Sequence, residues 1–170
     1  VAVWDSTVQA NLSSTPGGPL DWAGIKILDP AGAIDIAADG NTLTLEAAGI
    51  DMSLATNSLT LDCLVVLGAD QTWNVADGQT LTVSSPLDGS ATVLTKSGNG
   101  VLNFSATVNG TYAGNISVNG GVLQINSANA NNNSAVGTGI ITNNGATLRF
   151  ATGRIVGNAL VFNGNCTVDA

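Results

Sequence analysis

Apolar and polar residues alternate with period two along nearly the whole chain. In "GNISVNGGVLQIN", Gly114 to Asn126, Ile116 and Val118 and then Leu123 and Ile125 fall on one side of an extended backbone, with the turn pair Asn119-Gly120 between the two runs. Taken alone this is a hairpin signal. The same arrangement recurs, however, as "DGNTLTLE" from Asp39, "TNSLTLD" from Thr56, "DGQTLTVS" from Asp77, "SGNGVLNFS" from Ser97, "NNGATLRFA" from Asn143 and "NGNCTVD" from Asn163. The first apolar positions, Leu43, Leu59, Leu81, Leu102, Leu123, Leu148 and Cys166, are 16, 22, 21, 21, 25 and 18 residues apart. A second short run precedes most of them, as in "GIDMSL", "QTWNV", "ATVLT", "GNISV", "GIITN" and "ALVF". Successive hairpins would share no common phase. A coil that returns to the same place about every 21 residues, stacked at the ~4.8 Å spacing of paired strands, keeps one. The pattern predicts an all-β, single-stranded parallel β-helix of about seven or eight coils, forming one domain over residues 1–170.

On this reading Asn119-Gly120 is a corner, where Asn and Gly tolerate positive φ. Corners at Asp39, Asp77, Asn119, Asn144 and Asn163 would stack their side chains in register. The expected core pairs are Leu43/Leu45, Leu59/Leu61, Leu81/Val83, Leu102/Phe104, Leu123/Ile125, Leu148/Phe150 and Cys166/Val168. Residues 1–32, with "STPGGPLDW" and "LDPAG", read as an N-terminal cap or first coil, and 33–170 as the stack. Trp4 and Trp22 are placed to cover the core at that end. Trp73 is expected to point inward.

The composition narrows the function. Charged residues make up 9% of the chain, and four Lys and Arg face twelve Asp and Glu for a net charge of −8. Lys26, Lys96, Arg149 and Arg154 are scattered, so no basic patch is expected to hold nucleic acid or an anionic membrane. No apolar run is long enough for a transmembrane helix, and the N-terminus carries no signal-peptide pattern. With no His, no GxSxG motif and no zinc spacing, an enzyme is not expected. No cofactor is expected either, although a single calcium between loops stays open. Cys63 and Cys166, five coil steps or ~24 Å apart, are too distant for a disulfide. Sequons at Asn11, Asn109, Asn115, Asn132 and Asn165 carry little weight in so Asn-rich a chain.

Residues 94 to about 150 carry Leu94-Thr95-Lys96-Ser97-Gly98, "NGTYAGN" around Tyr112, Asn119-Gly120-Gly121 with Leu123, and "GATL" from Gly145. This third of the chain resembles the autotransporter-associated β-strand repeat of secreted bacterial passengers. The resemblance implies a right-handed helix, a secreted or cell-surface location, and a structural role for Tyr112. In size and coil style the chain is also similar to the β-helical carbohydrate-binding modules of xylan-degrading enzymes.

The outward positions offer two chemistries. The row Thr44, Thr60, Thr82, Asn103, Gln124, Arg149, Thr167 is followed by Glu46, Asp62, Ser84, Ser105, Asn126, Ala151, Asp169. Glu46 and Asp62 would then be neighbours about 5 Å apart, an acid/base or cation-binding pair that solvated acids imitate equally well. A neutral polysaccharide suits the uncharged part of the ladder better. Its expected ligand-binding residues are Thr82, Asn103, Gln124 and Arg149, with Asp35, Asp51 and Asn74 on other strands and Trp22 as a stacking platform. The expected function is a monomeric, non-catalytic module that binds a plant cell-wall polysaccharide, most readily xylan, and targets a fused glycoside hydrolase. The alternative is a structural or adhesive stalk, whose core would be exposed at one end.

Overall fold

The computed structural model describes residues 1–107, 110–126, 136–151 and 156–169. Asn109, Asn132 and Arg154 lie outside them. The strands in chain order are β1 (Ala2–Trp4), β2 (Ser13–Ser14), β3 (Leu20–Ile27), β4 (Ile34–Ile36), β5 (Thr42–Met52), β6 (Leu59–Leu61), β7 (Leu64–Leu67), β8 (Gln71–Val75) and β9 (Thr80–Val83). There follow β10 (Leu87–Gly89), β11 (Val93–Ser97), β12 (Val101–Phe104), β13 (Asn115–Val118), β14 (Val122–Ile125), β15 (Ile141–Asn144), β16 (Thr147–Phe150), β17 (Leu160–Asn163) and β18 (Thr167–Asp169). No helix occurs among the described residues, and all strand pairs are parallel.

The strands make three faces of a stacked β-solenoid of about seven turns. Face one runs β2-β4-β6-β9-β12-β14-β16-β18. Face two is built from the first halves of β3 and β5 with β7 and β10. Face three is β1, the second halves of β3 and β5, then β8-β11-β13-β15-β17. Asn119-Gly120 therefore separates β13 on face three from β14 on face one, and no hairpin forms there.

Like stacks on like inside. Ile34, Leu59, Leu81, Leu102, Leu123 and Leu148 form one buried column of face one. Ile36, Leu61, Val83, Phe104 and Ile125 form the next. Trp73 is wholly buried in the face-three column, with Ile50 on one side and Lys96 on the other. Trp4 and Trp22 lie partly buried at the N-terminal end, ring centroids 6.1 Å apart. Cys63 and Cys166 are free, and burial pushes the Cys63 thiol up to about 11.

Several expected placements are corrected. Leu43 and Leu45 belong to face two, paired with Val65 and Leu67, because β5 belongs to the opposite side of the coil from β6. That displaces Thr44 from the outward row of face one. At the other end the register is two residues later than expected: Leu148 pairs with Val168 and Arg149 with Asp169, so Thr167 and Cys166 leave their expected columns. Phe150 and Cys166 are half-buried, and Val168 is exposed together with Leu160, Val161 and Phe162. The corner after β13 has positive φ at Gly121, not at Asn119 or Gly120.

The corner ladder also divides. Asn163 Nδ2 donates to Asn144 Oδ1 at 2.8 Å, and Asn144 Nδ2 donates to Asn119 Oδ1 at 2.7 Å. Asp39 instead sits between faces one and two, where it accepts from Gly17 N and Asn41 N. In the register of face three it is Asn74, through Ser97, that continues the row, and Asp77 lies beyond it.

Candidate functional site

The register brings Asp35, Thr60, Thr82, Asn103, Gln124 and Arg149 into one outward row on face one, with Ser13 below and Asp169 above. Each rung is a polar residue between two core residues of the same short strand, so alternation alone directs it outward. Asp35 thus joins the row expected to begin with a threonine. Asp169, expected one row over, ends it.

The two ends of the row differ chemically. Arg149 Nε donates to Asp169 Oδ2 at 2.8 Å, and its Nη1 donates to Gln124 Oε1 at 3.3 Å. The ion pair is half-exposed and contributes little stability, but it turns the guanidinium away from any free bidentate role. Asn103 Oδ1 accepts from Asn126 Nδ2 at 3.1 Å. Lower down, the hydroxyls of Thr60 and Thr82 have no hydrogen-bond partner among the described residues. Asp35 Oδ2 accepts from Ser13 Oγ at 2.9 Å, while Asp35 Oδ1 is buried without any partner. A buried acceptor left unpaired is costly, and this oxygen is closed to solvent, so the accessible groups of the lower row are the Thr60 and Thr82 hydroxyls.

Asp51 and Asn74 do not lie on this row. They pair with each other on face three, next to Lys26 and Ser97. Lys26 Nζ stands 3.3 Å from Asp51 Oδ2, and Ser53 donates both N and Oγ to Asp51 Oδ1. Burial opposes ionisation of Asp51, but the Ser53 hydrogen bonds and then Lys26 outweigh it and hold the carboxyl below its ordinary range. Trp22 is on face two near the N-terminal end, packed against the core. The eight expected ligand residues therefore fall in three places.

The acid pair does not form. Glu46 lies at the corner after the first half of β5, against Gly68, whereas Asp62 follows β6, its N bonded to Ile36 O, in the row of Ser84 and Ser105. The 16-residue step between Leu43 and Leu59 carried the error, since it is too short for a full turn. Among the described residues no group of three or more Cys, Asp or Glu is placed to hold a metal ion. Compared with protein-family models, with curated proteins and with solved structures, the chain finds no significant match in any of the three.

Proposed function

We propose that the chain is a non-catalytic carbohydrate-binding module for a neutral plant cell-wall polysaccharide, xylan in the first instance, which carries an attached hydrolase to its substrate. The observation that supports this is the lower face-one row: Thr60 and Thr82 offer two hydroxyls without hydrogen-bond partners among the described residues, continuous with Asn103 and Gln124. Rungs repeat at ~4.8 Å, near the length of a sugar ring. A few neutral hydrogen bonds, net of the cost of association, correspond to weak binding. Affinity electrophoresis senses binding of that strength. Migration is expected to be retarded in gels containing xylan, and a variant with Thr82→Ala and Asn103→Ala is expected to lose most of the retardation. Unretarded migration in xylan, mixed-linkage glucan, mannan and pectin alike would sink the proposal, and release of reducing sugar would return the chain to the enzymes.

A second reading has its own support. At the last coil, β17 and β18 leave Leu160, Val161, Phe162 and Val168 exposed, a surface that another coil of the same kind would cover. With the resemblance to autotransporter-associated repeats, this fits a structural or adhesive segment of a secreted bacterial protein. Retention of a rigid, fully folded chain with no glycan affinity is the result that would favour it.

A further inference from the structure

A depression of about 400 Å³ opens at the corner between faces two and three, lined by Ala47, Ala48, Asp70, Thr72, Val93 and Thr95, with Gln71 beneath them. Its origin is local. The second coil passes this corner within the continuous strand β5 on the small residues Ala47, Ala48 and Gly49, the last at φ 61°. The coil above breaks its strand at Gly68 to Asp70. A step between the two coils results.

Gln71 makes the step rigid. Its Nε2 donates to Leu45 O and Ala69 O, and its Oε1 accepts from Trp73 Nε1 at 2.8 Å, so the corner is tied to the core. Asp70 Oδ1 accepts from Val93 N at 2.8 Å, which orients the carboxylate. The second oxygen of Asp70 and the hydroxyls of Thr72 and Thr95 have no hydrogen-bond partner among the described residues. Thr72 and Thr95 are paired in register. The next rung, Ser117, is by contrast bonded to Asn119 and Asn144. Unused polar groups therefore gather at the depression, over a floor of exposed alanine methyls and Val93.

We infer that this depression is a second glycan subsite, which seats one neutral pyranose ring with its apolar face on Ala47, Ala48 and Val93 and its hydroxyls on Asp70, Thr72 and Thr95. A carboxylate that accepts from sugar hydroxyls beside a small apolar floor favours a neutral ring over a uronate, whose own charge would face Asp70. The inference takes its ligand class from the proposed function but uses none of the same residues.

The test is an amide NMR titration of the full chain with methyl β-xylopyranoside, methyl β-glucopyranoside and methyl α-mannopyranoside. Saturable shifts are expected at Ala47, Ala48, Thr72 and Thr95 with at least one of them. Ala48→Leu, on an exposed position, is expected to weaken that binding about tenfold by filling the floor, and Asp70→Asn about fivefold by removing the charged acceptor. No saturable shift with any glycoside, or shifts undiminished in Ala48→Leu, would overturn it. The Thr82→Ala and Asn103→Ala variant should keep these shifts. Saturable shifts at the depression in a native chain that xylan does not retard reject the face-one reading alone, and retardation of the native chain without such shifts rejects the subsite alone.

Discussion

Lys96 shows how far a single residue can depart from what its chemistry suggests. Alternation with Leu94 turns its side chain into the core, where Nζ donates to Ser97 O, Gly98 O and Gly120 O at 2.7, 2.8 and 3.1 Å. Burial pulls its pKa from 10.5 down to about 8, while the three carbonyls supply acceptors to the ammonium. Between those two values the unfolded chain holds a proton that the folded chain has released, so stability rises with pH across that window and is flat below it. Urea midpoints measured from about pH 7 to about pH 8.5, below the range where the raised Cys63 thiol acts in the opposite sense, should climb in the native chain and stay level in Lys96→Met. Tyr112 is fixed in a similar way, its hydroxyl shared between Thr92 O at 2.7 Å and Asn115 O at 3.1 Å. Tyr112→Phe is expected to cost about 1–3 kcal/mol in denaturation experiments, because buried carbonyls lose their donor. The buried Trp73 was legible from alternation with Val75. The burial of Lys96 was not, because the acceptors that satisfy it come from the corners of two different coils. For the same reason the tie between Arg149 and Asp169 was hidden: it depends on a register two residues away from the apparent one.

At the level of the strand and its corner, the repeat made face one readable from Leu59 to Leu148, where successive steps stay near one full turn. Leu43 and Cys166 failed because a period of apolar residues identifies a strand without identifying which face it serves. Corners decide that, and their conformations are only partly written in the turn residues. After β13, for example, both Gly120 and Gly121 are present, yet only Gly121 takes φ 62°. A Cβ there would also collide with the Gly100 carbonyl, whereas at Gly120 the nearest atom, Gly98 O, is 3.3 Å away. Gly121→Ala is therefore expected to destabilise the fold by more than about 1 kcal/mol. Gly120→Ala should change it by less than half as much. Paired thermal melts of the two variants distinguish this corner from one turned at Asn119-Gly120.

For the molecule as a whole, each coil contacts chiefly the coils beside it, so stability accumulates from neighbour to neighbour. The two ends differ. The outermost strands at both ends pair on one side only, but Trp4 and Trp22 pack against the core at one, while at the other β17 and β18 expose Phe162 and Val168. Edges of this kind promote pairing between chains. Sedimentation velocity of residues 1–170 on their own should show self-association that grows with concentration, reduced by Phe162→Lys with Val168→Lys, and concentration-independent sedimentation of that segment would contradict it. Pairing of coil to coil also gives the solenoid a mechanical character. Because each coil is held only by the coils beside it, tension along the stack would part them one at a time, and the chain would yield as a ratchet of small releases.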